Sequence, residues 1–290
     1  MSVWVIAWSA ALPVVAVANM VGWVMAAALL WRRRELTGAH TFAVRRLQLV
    51  LSAGYVFGCA WRSALPVFDV PRVALVESFL SSAAVGRSVA TVAELCFIGQ
   101  WALLLREASQ ATGSQAGRLA VRVLVPMIVV AELCSWYSVL TTSNVGHVFE
   151  ETLWSVATAL IIASLLEGWH RWGIHWRAAT AWLAAAGIAY FLYLVLVDIP
   201  MYWSRWVVDE AAGKGYLSLA QGLLNAARPP VVSYGWDFWK SEMGWMAAYF
   251  SVAVWVSIWL VNAPVPRAAR LPHGKRLRAP IAVPGIGGLA

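Results

Sequence analysis

Apolar residues run through this chain in long stretches, separated by short segments where arginine, glutamate and proline collect. A bilayer core about 30 Å thick takes roughly 20 residues of helix at 1.5 Å each. Seven stretches reach that length, at about 9–31, 47–65, 84–105, 120–141, 149–168, 179–200 and 243–262. The second has the weakest apolar character, because Arg62 lies near its end and Pro66 closes it. The pattern therefore predicts an all-α, polytopic integral membrane protein. Residues 1–263 form one seven-helix bundle, and 264–290 form a basic, disordered cytoplasmic tail rich in Pro, Arg and Gly.

Two connections carry more than a turn. Residues 66–83 contain Pro66, Asp69, Pro71 and Glu77 and are expected to start an amphipathic helix leading into the third span. Residues 201–242 form the longest external connection, with Gly213, Gly215, Gly222 and the pair Pro229-Pro230 among many aromatic residues. Long connections in compact proteins are commonly lids or binding elements. The aromatic content argues against disorder, so an ordered cap is expected there.

Composition agrees with the spans. The chain is 61% hydrophobic and 12% charged, against about 25% charged in a soluble chain. Its mean hydropathy is +0.69. The net charge of +8 does not point to nucleic acid, because the basic residues sit in short clusters between apolar runs. Arg32, Arg33, Arg34, Arg45 and Arg46 follow the first span, Arg106, Arg118 and Arg122 the third, and Arg171 and Arg177 the fifth. Arg267, Arg270, Lys275, Arg276 and Arg278 lie in the tail, and only Glu35, Glu107 and Glu167 accompany this whole set. Every odd-numbered connection is thus basic, which places those connections in the cytoplasm. The N-terminus is then outside and the C-terminus inside. No basic segment or cleavage site precedes the first span, so it reads as retained. The Ala/Val/Arg-heavy composition, without organelle signals, suggests a bacterial cytoplasmic (inner) membrane.

Nineteen tryptophans exceed ordinary use, and many flank the apolar runs, among them Trp4, Trp8, Trp31, Trp169, Trp172, Trp176, Trp203, Trp206, Trp236 and Trp239. Indoles favour the headgroup level, so interface anchoring is expected of most. Cys59, Cys96 and Cys134 fall inside apolar runs and are expected to be free, small buried side chains.

Ionisable side chains inside a span are costly unless they face protein or water, so they mark candidate sites. Glu94 and Glu132 lie mid-span on consecutive antiparallel helices, and Arg87 sits two turns before Glu94 on the same face. The two acids share a short repeat, Val92-Ala93-Glu94-Leu95-Cys96 and Val130-Ala131-Glu132-Leu133-Cys134. Tyr137, Thr141, Asn144, His147, Glu150 and Glu151 surround the turn between the fourth and fifth spans, with Ser143 or Asn144 as N-cap. His147 and Glu151 are i,i+4, and His147 and Glu150 are i,i+3. Such spacing can hold a metal, with His147, Glu151 and Glu132 as the ligand set, although no second histidine lies at membrane depth. Asp198, at the end of the sixth span, is one turn from Tyr202 and two turns from Arg205, with which it is expected to pair.

These groups converge on the outer half of the bundle. Glu94, Glu132, His147, Glu151 and Asp198 are the candidate catalytic residues. Arg87, Tyr137, Asn144, Glu150, Tyr202 and Arg205 are the candidate substrate-binding residues. Seven spans with an outer N-terminus match rhodopsin-like proteins in outline only. The last span, 243–262, has no lysine for a Schiff base, so no retinal is expected. No histidine clusters of the membrane desaturase kind, G-x-S-x-G, P-loop or H-E-x-x-H are present. The leading functional reading is a membrane-embedded enzyme with an acid–base or metal site acting on a lipid-like substrate. The alternatives are a small-molecule or proton transporter or receptor, and a non-catalytic subunit of a membrane complex. Membrane lipids, and other membrane subunits under the last reading, are the expected partners.

Overall fold

A computed structural model of the protein describes residues 1–265. The basic tail expected from 264 lies almost wholly outside them. The described residues are 81% helical, an all-α membrane bundle. Six helical segments are long and apolar enough to cross a membrane. They are α1 (Val3–Arg32), α3 (Ala83–Thr112), α4 (Gln115–Thr141), α5 (Val145–Glu167), a helix over Trp176–Ala211 and a final helix over Glu242–Val261. The remaining long helix, α2 (Ala39–Ala64), has 26 residues but is more polar, since Arg45, Arg46, Gln48 and Arg62 all lie on it. It packs between α1 and α3 like its neighbours.

The bundle turns large apolar side chains outward and buries polar ones among its apolar core. On α1, Val14 and Met25 are 70% and 66% exposed, whereas Asn19 is 1% exposed. In lipid this inversion costs nothing, since the surrounding solvent is as apolar as the side chains, while polar groups must be satisfied within the bundle. Neighbours in sequence are neighbours in space from α1 to α5. One core cluster joins Ile98, Leu104 and Leu105 of α3 to Leu124 and Ile128 of α4 and Leu165 of α5. A second joins Val5 of α1, Tyr55 of α2 and Phe250 of the final helix. Serines open the helices: Ser82 Oγ accepts from Val85 N, and Ser114 Oγ accepts from Gly117 N at 2.8 Å. Glu167, at the end of α5, reinforces the start of α4 by accepting from Ser114 Oγ at 2.6 Å and from Ala116 N at 2.9 Å.

Two of the crossing segments are interrupted by π-helical turns. The segment before the final one comprises α6 (Ile174–Tyr193), a π turn over Leu194–Asp198 and α7 (Ile199–Ala211). The helix thus continues well past 200, where the sequence suggests a loop. Pro200 would break a regular helix by removing an amide donor; the wider turn just before it absorbs that loss. The final segment comprises α10 (Glu242–Ala248), a π turn over Tyr249–Ala253 and α11 (Val254–Val261). Here Asn19 donates its side-chain amide to the Phe250 carbonyl at 2.6 Å, satisfying backbone that the π turn frees.

A cap closes one end. Residues 66–83 do not form the expected amphipathic helix. They form a hairpin of β1 (Val67–Phe68) and β2 (Val73–Ala74), then a 3₁₀ turn over Phe79–Ser81. Pro71 excludes helix across that hairpin. Strand β3 (Val231–Val232) adds in parallel to β2, and Tyr234 Oη donates to the Leu75 carbonyl at 2.8 Å. Helices α8 (Leu219–Ala226) and α9 (Trp236–Trp239) complete the cap. Gly222 of α8 lies directly on the Leu140 carbonyl, a contact that any side chain would prevent.

The tryptophans divide. Trp4, Trp31, Trp203 and Trp236 are exposed, but Trp172, Trp176 and Trp239 are at most 6% exposed and serve as packing. Trp172 stacks on Trp176 at 5.5 Å, and Trp239 donates to the Ser233 carbonyl at 2.8 Å. All three cysteines are free; Cys59 is buried, and Cys96 and Cys134 are partly so.

Candidate functional site

Below the cap, one arginine gathers three carboxylates from three helices. Arg87, Thr91 and Glu94 follow one another at helical spacing on α3 and so project from one face. Arg87 Nη2 donates to Glu132 Oε2 of α4 at 2.6 Å and lies 3.4 Å from Glu94 Oε2. Its Nη1 donates to Glu150 Oε1 of α5 at 3.2 Å. All four side chains are at most 8% exposed. Thr91 Oγ1 also donates to Glu132 Oε2 at 2.6 Å and accepts from Trp136 Nε1 at 3.1 Å. Tyr249 of the final π turn donates to Glu94 Oε1 at 3.3 Å.

Glu150 extends the network. Its Oε2 lies 2.8 Å from Nδ1 of His147, one turn earlier on α5. With Nδ1 committed to the carboxylate, Nε2 is the ring atom left for a ligand, since it has no hydrogen-bond partner among the described residues. The ring packs against Tyr202, with centroids 4.9 Å apart. The close approach of α5 to α4 depends on Gly146, whose Cα sits against the Cys134 carbonyl and Ser138 where a Cβ would collide. Ser138 Oγ accepts from the His147 amide at 2.9 Å, so a residue of α4 caps the first turn of α5. Asn144 occupies the N-cap position but makes no capping bond; its side chain donates to Asp209 instead.

The repeated pentapeptide has a shared physical meaning. Val92 and Val130 are exposed to the surroundings of the bundle, Ala93 and Ala131 are fully buried, and Glu94 and Glu132 turn inward. In both copies a small residue beside the acid lets the neighbouring helix come close.

The cluster opens into a cavity of about 480 Å³, within the usual range of ligand sites. Its polar end carries His147, Glu150 and Glu151 of α5, Arg87 and Glu94 of α3, Arg62 of α2, Asp69 of the β1–β2 hairpin, Glu242 of α10 and Tyr202 of α7. Its other end is apolar, lined by Trp101, Trp154, Ile161, Leu183, Val252 and Val256. Arg205 closes the capped side. It donates to Ser241 Oγ at 3.0 Å, lies 3.8 Å from Glu242, and stacks its guanidinium over Phe68 and Tyr202 at 5.3 and 5.5 Å. Burial raises the Asp69 carboxyl above the ordinary carboxylate range, with Arg62 and Arg87 opposing.

No protein-family model, curated protein or solved structure matches this chain. The site therefore has to be read from its own chemistry.

Most of the sequence candidates meet here, but not all, and not always with the expected partner. Glu94, Glu132 and Glu150 converge on Arg87, while His147, Glu151 and Tyr202 line the cavity. Tyr137 does not belong. It is 47% exposed, because five residues of helix past Glu132 carry it to the far side of α4. Asn144 is tied to Asp209 away from the cavity. Asp198 is buried on the π turn but is absent from the cavity lining, and Arg205 pairs with Glu242 rather than with it. His147, Glu151 and Glu132 do not form one ligand set. The acids whose oxygens lie within 4.8 Å of one another are Glu94, Glu132 and Glu150, and the Arg87 guanidinium already bonds or neighbours each of them. Arg62, Asp69, Glu242 and Tyr249 join the cavity beyond the sequence candidates, the first three being charges at or near span ends.

Proposed function

We propose that this chain is a membrane-embedded enzyme performing acid–base chemistry on the polar group of a lipid-like substrate. The observation that carries this reading is one cavity joining a histidine–carboxylate pair to an apolar chamber inside the bundle. His147 is the proton acceptor and donor. Glu150 fixes its tautomer and orientation, as the third member of a triad does, and Arg87 holds Glu150 in place. Glu151, which lines the cavity without an ion pair among the described residues, is the second proton-transferring group. One guanidinium among three carboxylates leaves the cluster short of positive charge, a deficit met by protons shared among the acids. The arrangement needs no metal to hold it together, since Arg87 supplies the cation at its centre.

In this reading the bundle crosses the membrane seven times, with α2 as the seventh span. Its 26 residues reach about 39 Å at 1.5 Å each. Arg45 bonds Glu107 at 2.9 Å and Arg171 bonds the Thr112 carbonyl, which gathers the basic connections at the end opposite the cap. The positive-inside rule supports that end as cytoplasmic and the cap as external, and the Ala/Val/Arg-heavy composition supports a bacterial inner membrane.

The test is a lipid profile of cells lacking the gene, complemented with wild type, His147→Ala or Glu150→Gln. The expected result is one lipid class that accumulates in the deletion, returns to normal with wild type, and stays high with either variant present in the membrane. Identical profiles in deletion and wild-type cells would remove the proposal.

A transporter is the second reading. It is favoured by a buried polar column on the other side of α3, where Ser257 Oγ donates to Gln100 Oε1 at 2.6 Å and lies 3.0 Å from Ser52 Oγ. It ranks below the enzyme because Gln48 and Gln100 lock α2 to α3 through reciprocal bonds to each other's carbonyls, which closes that polar group off.

A further inference from the structure

Arg62 stands out among the buried charges. It is 8% exposed, it lines the cavity, and it forms no hydrogen bond or ion pair among the described residues. Its Nε is fully enclosed and unpartnered. Its guanidinium lies over the Tyr249 ring, 5.8 Å from the centroid. A buried, unpaired guanidinium is costly, and bundles normally pair such a group. Every other arginine of the site has a carboxylate: Arg87 has three and Arg205 has Glu242. Asp69 faces the same end but makes no ion pair or hydrogen bond with Arg62 among the described residues, and its own Oδ1 is buried and unpartnered.

A second observation concerns how a ligand arrives. α6 packs on α5, α11 packs on α1 and α2, and residues of both α6 and the final helix line the cavity. A cleft between them on the outer face of the bundle is lined by Leu183, Ser251, Val252, Trp255, Val256 and Trp259. Leu183, Val252 and Val256 also line the central cavity. Three apolar side chains are all the lining the two chambers share, so displacing them would open a lateral path from the bilayer to the polar cluster. Val252 and Trp255 are 57% and 51% exposed on that face. The final helix carries its π turn at the cleft itself, over Tyr249–Ala253, and such turns are frequent at functional sites.

We propose that the cavity takes a membrane lipid with a phosphate headgroup, which enters between α6 and the final helix, seats its phosphate on Arg62 and leaves its chain in the apolar cleft. This rests on the reading of the cavity as a lipid-substrate site and adds the headgroup class and the route. Guanidinium suits phosphate through paired, charge-assisted donors. The seated headgroup then lies in the same chamber as the free His147 Nε2.

The test uses the full chain in detergent, with binding read by native mass spectrometry against three probes: dioctanoyl phosphatidic acid, dioctanoylglycerol and inorganic phosphate. Wild type should bind the phosphatidic acid at least about tenfold more tightly than the diacylglycerol, the scale of a charge-assisted bond. Inorganic phosphate should not displace it at equal concentration. Arg62→Gln should abolish the preference and Arg62→Lys should keep part of it, each with the thermal unfolding of wild type checked alongside. Val252→Trp should weaken both lipids without erasing the preference between them. His147→Ala should still bind phosphatidic acid, which separates the headgroup seat from the chemistry. Equal affinity for the two lipids in wild type, or an unchanged preference in Arg62→Gln, overturns the seat. Displacement by free phosphate overturns the lipid as its source. Unaltered binding in Val252→Trp overturns the lateral route.

Discussion

Replacing Arg87 with methionine is the sharpest perturbation of the polar cluster. It removes the one cation that holds Glu94, Glu132 and Glu150 together, and leaves three buried carboxylates facing each other with no compensating charge. Breaking a buried pair by deleting one member costs about 3–5 kcal/mol, most of it the stranded partner. For a chain of this size each kcal/mol moves the unfolding midpoint by roughly 2–4 °C, so a fall of about 6–20 °C is expected. Thermal unfolding in lipid nanodiscs, followed by the fluorescence of the nineteen tryptophans, reads it directly. A thermodynamic cycle makes the assignment specific. Glu132→Gln removes the acid at 2.6 Å, so the double variant should be less damaged than the sum of the two singles, by about 1–3 kcal/mol. A midpoint for Arg87→Met within 2 °C of wild type, estimated on the same scale at roughly 1 kcal/mol or less, would refute the reasoning. Strict additivity of Arg87→Met and Glu132→Gln would refute it equally.

Two further outcomes follow from the structure. Gly146→Val places two methyls where α5 meets the Cys134 carbonyl; it should cost about 1–3 kcal/mol and displace His147, so that lipid conversion is lost even at temperatures where the variant stays folded. Asp69→Asn tests the cap: burial keeps the carboxyl protonated in the fold at pH values where the unfolded chain has released its proton. Stability of wild type should therefore fall as pH rises from the ordinary carboxylate range to the raised value, and the asparagine variant should lack that slope; parallel unfolding curves for the two proteins across that range would contradict it.

How far the sequence leads is clear residue by residue. The spanning helices are legible because lipid demands long apolar runs. Glu94 and Glu132 are legible because an acid in such a run has few excuses. Arg62 carried the same signal, but as a charge near a span end it registered as weakness of the span rather than as a feature of the site. Glu242 was hidden by its place at the boundary between cap and helix. Tyr137 was misplaced by reading proximity along the chain where helical phase decides. The pairing of Arg205 with Glu242, the bond of Asn144 to Asp209 and the facing of α6 with the final helix all depend on which helices neighbour one another. Hydropathy is silent on that order. The hairpin at 67–74 replaced an expected helix because its partner strand, β3, lies more than 150 residues away in the chain.

The central claim is that a charged pocket and a lipid-facing cleft form a single binding site in this bundle. The most direct measurement is an electron cryo-microscopy map of the protein in nanodiscs made from its native membrane. The account predicts elongated density lying between α6 and the final helix, with its head within hydrogen-bonding distance of Arg62 and His147 Nε2. A map in which α6 seals against α11, with the cavity open only beneath the cap and holding solvent alone, would contradict it.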